Sequence, residues 1–580
     1  KMHFNKQHRQ FLLITLCTFL TFCLLYFFRS YDDNRLTAWR WAFAGVDLYW
    51  FFPALIAGVV ILYFLLKAPL AEKRPAVFLM ALSFAVTSIF WKVPEVIIDA
   101  SRYFTYAKHL DVYGTRHFLT EWGRSISIWT DLPLIPFLYG LIFKYAGESR
   151  AFIQLFVSAL FAMTVVITYL TGAKLWNRET GFFAGVLILG IPYLFSQTPL
   201  MLIDVPTMFF LTLSIYSFIR AMEEGGKWTV LSALSLFCTI FVKYSTWMML
   251  SVTAIIWVIY IMQGEAQSAK EEMHGAKDKG YRGKIVRRGV LVALFCGLMI
   301  GAVLYFKFDV IWGQIKFLRE YQMPGLRRWG ESFASTFLYQ VHPFITIAAL
   351  YSFYRALKKK DLKFLMVSWL IILVVILQIK RSRYVMVVFP MLALMASYGF
   401  QRIKNIELRK YIVSSAVASS LAVAIFAYLP FLQEMSTVNF QHAGSTLDAA
   451  EIERVVVFTI PSPESVVNPA VGVPIIDLFT EKKVSYDYNA EHTVTFDEIQ
   501  TSPLRFTWEY ENPPFYRIVN EGPMSDSAVV IISNMVIKEL PDHIKEKLEG
   551  YKETAIFRTS TGIFRYSPTV TVYLPDPDMS

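Results

Sequence analysis

Two carboxylates and a group of cations stand where an apolar chain has no plain use for them. Asp99 closes the stretch Pro94-Glu95-Val96-Ile97-Ile98-Asp99 directly after an apolar run, and Asp204 sits in the short turn Ile203-Asp204-Val205-Pro206 between two more. A carboxylate at a lipid boundary is costly to desolvate unless it is paired or put to use. Lys380, Arg381 and Arg383 lie together at a third connection, and Lys243 ends a fourth apolar run. Such a set suits the attack of a hydroxyl or amine on a membrane-held anionic substrate. One acid takes the acceptor's proton, and the cations stabilise a phosphate as it leaves. Asp99 is the expected base, with Asp204 orienting the acceptor or the partners of Asp99. Lys243, Arg381, Arg383 and Tyr384 are the expected phosphate cradle, since forked guanidinium groups match phosphate oxygens. Tyr103, Glu121, Asp131, Arg327, Arg328 and His342 are further candidates for loops that admit donor or acceptor.

Plainer readings stand beside these. Asp99 also fits a solvated helix end, Asp204 a helix cap, and Lys243 a cation that snorkels to the interface. Arg381 and Arg383 also fit ordinary lipid headgroups. His342 opens a span in Val341-His342-Pro343 with no second ligand at metal spacing, and reads as structural. The sequence carries no metal motif and calls for no cofactor. A divalent cation shared by two acids on separate loops is the one metal arrangement left open.

The elements that must bring these residues together are membrane spans. The chain has 580 residues, 55% of them hydrophobic, and a mean hydropathy of +0.44. Runs of about 20 apolar residues, enough to cross the hydrocarbon as helices, recur from Phe11 to Leu429. Candidate spans fall near 11–28, 47–66, 76–94, 151–172, 180–197, 201–219, 228–242, 245–263, 290–307, 336–356, 364–379, 384–400 and 411–430, about thirteen helices. Threaded from a cytoplasmic N-terminus, six inside connectors are basic, among them the loop 264–289 and the run Lys358-Lys359-Lys360, as the positive-inside rule requires. Asp99, Asp204, Lys243 and Arg381–Tyr384 then share the outer face. The cluster at 380–383 breaks the charge rule there, so an anionic partner is expected.

The longest outer loop, about 95–150, holds two amphipathic stretches suited to the interface plane. After about Ser436 the apolar runs stop. Strand-like Val455–Ile460 and Ala528–Ser533, helical Pro541–Gly550, and Glu553–Thr559 paired with Gly562–Tyr566 read as a soluble α/β domain outside the membrane. The four cysteines lie within apolar runs, so no disulfide framework is expected. The first apolar run lacks a small-residue cleavage site and reads as a retained anchor. The net charge of +11 is spread over loops, so no nucleic-acid partner is expected.

Four stretches taken in order, Asp99-Ala-Ser-Arg-Tyr103, Asp131-Leu-Pro-Leu-Ile-Pro136, Leu202-Ile-Asp204-Val-Pro206 and Arg381-Ser-Arg383-Tyr384, resemble the GT-C membrane glycosyltransferases. The likeness is to the protein O-mannosyltransferases and the lipid A aminoarabinose transferases, over roughly Ala76 to Leu429, with two extra spans in front. It implies an inverting transfer from a polyprenyl- or dolichyl-phosphate sugar, with the catalytic base at Asp99 and a second acid at Asp204. Many relatives have Asp-Glu where this chain has Asp99-Ala100, and a Pro-Pro pair where Asp131-Leu132-Pro133 stands. A role for the missing glutamate would fall to Glu95 or Glu121.

The expectation is a polytopic α-helical GT-C-like protein with three parts. Residues 1–75 give two N-terminal helices, 76–430 a catalytic core, and 436–580 the outer α/β domain. Its place is the cell (plasma or inner) membrane. Its partners are a polyprenyl-phosphate sugar, membrane lipid and an acceptor that is protein, lipid or glycan. The competing class is a transporter or flippase of lipid-linked sugars. That reading calls for mid-span charges and duplicated halves, and the sequence has neither.

Overall fold

The computed structural model describes residues 6–28, 42–43, 45–273, 281–323, 332–461, 467–486, 505–508, 512–517, 526–534, 537, 539–559 and 567–576. Among them nine helices are long and apolar enough to cross a membrane. Each of the thirteen expected spans is helical, but four fall short of that length. The expected 180–197 breaks into Arg178–Ile188 and Pro192–Phe195, because Pro192 cannot continue the helix before it. The other three are Lys227–Val242, Pro343–Lys359 and Leu362–Ile376.

In chain order the main helices are α1 (Lys6–Phe28), α2 (Leu48–Leu65), α3 (Pro75–Ser88), α4 (Ile97–Glu121), α5 (Leu134–Ala146), α6 (Arg150–Leu175), α7 (Arg178–Ile188), α8 (Asp204–Glu224), α9 (Lys227–Val242), α10 (Ser251–Met273), α11 (Tyr281–Phe317), α12 (Pro343–Lys359), α13 (Leu362–Ile376), α14 (Phe389–Phe400) and α15 (Ile406–Val423). Burial separates the middle of the bundle from its lipid-facing rim. The apolar windows of α8 and of the segment Ser382–Phe400 are 83% buried, whereas those of α1 and α11 are 17% buried. The central helices are thus the ones that carry Asp204 and Arg383.

The loop 95–150 contains the two expected helices, α4 and α5. On α4 the buried Ala100, Tyr103, Phe104, Ala107 and Leu110 recur every three or four residues, giving one face to the core. Gly114, at φ 87°, interrupts α4 with a backbone that a side chain would strain.

Beyond the bundle, α16 (Val438–Ala449) and α17 (Val473–Phe479) pack with a five-stranded sheet. Its strands are β1 (Arg454–Ile460), β2 (Lys483–Tyr486), β3 (Ser527–Ser533), β4 (Tyr551–Phe557) and β5 (Thr569–Pro575), in the order β2-β1-β3-β5-β4. β1 runs parallel to β2 and β3, while β5 is antiparallel to β3 and β4. The partner of β4 is therefore Thr569–Pro575. The expected partner Gly562–Tyr566 lies outside the described residues.

A charged clasp docks this sheet domain on α4. Lys108 reaches the carboxylate of Asp477 on α17 at 2.5 Å and that of Glu148 at 2.9 Å, and the Tyr516 hydroxyl donates to Asp477 at 2.6 Å. Burial and then the charge of Asp477 push the Glu148 carboxyl from 4.5 up to about 7, against the pull of Lys108. A carboxyl raised on folding contributes stability below its ordinary pKa and loses that contribution as pH rises through the raised value. Melting of the purified protein should therefore shift to lower temperature between pH 4.5 and 7, and Glu148→Gln should flatten that slope. An unchanged slope in the variant would remove Glu148 as its cause.

Candidate active site

Three central segments converge at one end of the bundle because of short-range features that the sequence builds into each. Asp204 begins α8, and Pro206 in its first turn is pre-set for a helix. α8 and α9 form a tight hairpin: Gly225 and Gly226 turn the chain at φ 68° and 57°. Buried hydroxyl pairs, Ser214 with Thr239 and Ser217 with Ser235, both at 2.8 Å, hold the two helices together. The end of α9 thus returns beside the start of α8, placing Lys243 Nζ 2.6 Å from Asp204 Oδ1. The turn Arg381–Tyr384 is pinned from behind. The Thr336 hydroxyl donates to the Lys380 carbonyl at 2.7 Å and lies 3.1 Å from the Ser382 hydroxyl.

Arg383 joins the two acids. Its Nε donates to Asp204 Oδ2 at 2.6 Å, and its Nη1 donates to Asp99 Oδ2. Arg102, one helical turn after Asp99, donates Nη2 to Asp99 Oδ1 at 2.7 Å and pairs with Asp131 Oδ2 at 3.1 Å. The Tyr103 hydroxyl donates to Asp131 Oδ1 at 3.2 Å. The Tyr384 ring lies beneath two cations, with Lys243 4.7 Å and Arg381 5.1 Å from its centroid. Asp99 and Asp204 both stand in the first turn of a helix, where the helix dipole favours negative charge.

Burial alone would raise the Asp99 carboxyl, but the charges of Arg383 and Arg102 outweigh it and hold Asp99 well below the usual carboxylate range. Burial, offset in part by Arg102 and reinforced by Asp99, raises Asp131. The Asp99 side chain is 20% exposed and that of Asp204 only 1%, so Asp99 is the acid an incoming group can reach. The carboxylate of Asp204 is spent on Lys243 and Arg383 and makes no capping bond to its own helix.

The candidates therefore divide. Asp99, Asp204, Lys243, Arg381, Arg383, Tyr384, Tyr103 and Asp131 form one connected network. Glu121 does not join it: it ends the 25-residue α4 that Asp99 begins, and it accepts from Ser125. His342 does not join it either, since both ring nitrogens are engaged elsewhere. Nδ1 accepts from the Phe344 amide as the cap of α12, and Nε2 lies 2.7 Å from the Ser419 hydroxyl. Arg327 and Arg328 lie outside the described residues. A divalent cation between Asp99 and Asp204 would have to displace Arg383 from both, so the residues present do not fit a metal.

Arg102, outside the expected set, and Glu95, named only as a stand-in for the missing glutamate, hold the site in place. Arg102 was legible as a cation at i+3 from Asp99 on a helix. Glu95, fully buried, accepts from Arg150 Nε at 2.7 Å and from the Met201 amide at 2.9 Å. It thus ties the chain four residues before Asp99 to the chain three residues before Asp204. Tyr139 adds a bond from its hydroxyl to the Leu202 carbonyl at 2.7 Å.

Residues 131–274 match the model of the dolichyl-phosphate-mannose-protein mannosyltransferase family. The matched segment includes Asp131, Asp204 and Lys243, and leaves out Asp99 and Arg383. Among solved structures, the fold is similar to that of ArnT from Cupriavidus metallidurans bound to undecaprenyl phosphate. The TM-score is 0.52 at 11% identity, over 87% of this chain and 98% of that one. The apo state of the same protein gives 0.51 at 10% identity over the same shares. The chain thus shares the fold of these structures, and the family-model match covers its segment 131–274. No curated protein matches it.

The Glu95 staple can be tested directly. Removing one partner of a buried ion pair costs about 3–5 kcal/mol, so Glu95→Ala should lower the melting temperature and sugar transfer together. Glu95→Gln, which keeps an acceptor for the Met201 amide, should lose less of both. Wild-type stability in Glu95→Ala would rule the staple out.

Proposed function

We propose that this protein transfers a sugar from a polyprenyl-phosphate-linked donor to an acceptor on the outer face of the cell membrane, with inversion at the sugar carbon. The observation that carries this reading is the sharing of Arg383 by Asp99 and Asp204 beside Lys243 and Arg381. Lys243, Arg381 and Arg383 gather beside these acids, and their ammonium and guanidinium groups suit an anionic ligand. Arg383 spends Nε and Nη1 on the acids, and a guanidinium has five N–H donors, which leaves others for a phosphate. Undecaprenyl phosphate in the ArnT structure supports the same donor class.

In the reaction the acceptor hydroxyl or amine attacks the anomeric carbon and passes its proton to Asp99. The bond between that carbon and the phosphate oxygen breaks, and Arg383, Arg381 and Lys243 hold the phosphate that departs. Asp99 is ionised at neutral pH but bonded to two arginines, so it becomes a working base when the donor phosphate draws Arg383 toward itself. Asp204 keeps Lys243 and Arg383 aimed at that position. Acceptor recognition falls to the loop 95–150 and the outer sheet domain. No observation favours the transporter reading, since the ionisable residues of the cluster gather at helix ends.

Reconstituted protein supplied with a panel of radiolabelled polyprenyl-phosphate sugars should label one acceptor class. Asp99→Asn should reduce transfer by about 10²–10⁴-fold, the usual worth of a positioned base, with insertion unchanged. Turnover retained in that variant would remove the base assignment. Arg383→Ala should raise the donor KM and lower kcat, and Arg383→Lys should rescue little of either, because an ammonium cannot bridge both acids. Since Asp99 is depressed, the transfer rate should show no titration from it between pH 5 and 8.

A further inference from the structure

At the end of the bundle opposite the Asp99–Arg383 cluster, a cavity of about 160 Å³ lies between the C-terminal ends of α12 and α14. Arg383 lies in the first turn of the 19-residue segment Ser382–Phe400, and Arg402 lies just beyond its end. A helix of that length rises about 28 Å, close to the hydrocarbon thickness, so the cavity stands at the other membrane boundary. α12 supplies Tyr351, Arg355 and Lys359, and the end of α14 supplies Tyr398, Gln401 and Arg402. The two helices are pressed together beside it: a Cβ on Gly399 would meet the Ser352 hydroxyl at 2.3 Å.

No residue lining this cavity is acidic, and among the described residues Arg355, Lys359 and Arg402 form no ion pair. Asp361, the acid beside Tyr398, is already engaged. It accepts from the Tyr398 hydroxyl at 2.9 Å and from the Lys363 amide at 3.0 Å as the cap of α13. Arg355 and Lys359 stand one turn apart on α12, and Arg402 approaches from the second helix. This arrangement leaves three cations around one recess, each with donors to spare.

The outer face of α12 has the complementary character. Ile347, Leu350, Tyr354 and Leu357 are each at least 60% exposed, at spacings of three and four that place them on one stripe beside the face that carries Tyr351, Arg355 and Lys359. An ion that entered from water would have no use for that stripe. A molecule with a phosphate head and hydrocarbon tails would use both. Basic pockets between spans at a membrane boundary suit such headgroups.

We propose that this recess binds the phosphate headgroup of an acidic membrane lipid, with Arg355, Lys359 and Arg402 on the phosphate and the acyl chains along the α12 stripe. The site is separate from the donor site and lies on the opposite face of the bilayer. The phosphate chemistry could also be met by free inorganic phosphate, and the test separates the two.

Full-length protein in detergent is titrated with phosphatidylglycerol, with phosphatidylcholine and with inorganic phosphate, and binding is read by native mass spectrometry and by melting temperature. Phosphatidylglycerol should bind about a hundredfold tighter than phosphatidylcholine, since each of the three cations near such a headgroup is worth about 1 kcal/mol. The triple variant Arg355→Gln, Lys359→Gln, Arg402→Gln should lose that preference. A control with equal charge removed, Lys358→Gln, Lys360→Gln, Lys404→Gln, should keep it. Protection by inorganic phosphate that the first triple abolishes, with no lipid preference, would overturn the lipid assignment and leave a free-phosphate site. Equal loss in both triples, or none in either, would overturn the pocket itself.

Discussion

A single guanidinium bears most of the structural weight of one end of this bundle. Arg383 is buried between Asp99 and Asp204, and an uncompensated charge in such a place costs several kcal/mol. Each acid begins a helix, and Arg383 leads into a third, so the pairing fixes α4, α8 and α14 against one another. Lys243 and Arg102 then attach at the two sides. Behind them, Glu95 ties together the backbone segments that precede the two acids. These interactions make the arrangement of helix ends a consequence of charge satisfaction as much as of apolar packing.

The same pairing creates a tension with reactivity. An acid held by two guanidinium groups is fully charged, yet its lone pairs are occupied. In the proposed reaction a further anion drawn to Arg383 resolves this by loosening the grip on Asp99. Asp204, more deeply buried, remains paired and keeps the cations from dispersing. The two acids are chemically alike and differ in exposure and in their second cation, Arg102 for Asp99 and Lys243 for Asp204.

How much of this could be read from residue order depends on whether a residue broke a rule. Asp99, Asp204 and Arg381–Arg383 each violate the economics of a lipid boundary, and each of them falls in the network. Lys243 was found because helix length and topology put it at the same face. Arg102 was hidden in plain view, since Asp99 and Arg102 are a helical ion-pair spacing apart. Glu121 was misplaced because the loop 95–150 was treated as one neighbourhood, whereas it folds into helices that carry position 121 away from position 99. His342, which opens a span and reads as structural, caps that span through its own ring. The shorter spans reflect a proline break and helix ends that satisfy themselves before the full membrane thickness. The bond between Lys108 and Asp477 crosses 369 positions, and no local pattern announces a partner that distant. In the outer domain, the residues nearest in sequence to β4 looked like its partner, but the strand that pairs with it begins at Thr569.

The mooring of α4 has a bearing on how the outer domain can be studied. Lys108, which grips Asp477, and Asp99 ride the same stretch of helix ahead of the Gly114 break. Amputating residues 436–580 would unfasten that helix as well as remove the sheet domain. A truncated chain that failed to react would therefore say nothing about what the domain recognises, and chimeras that preserve Asp477 and Tyr516 are the cleaner instrument.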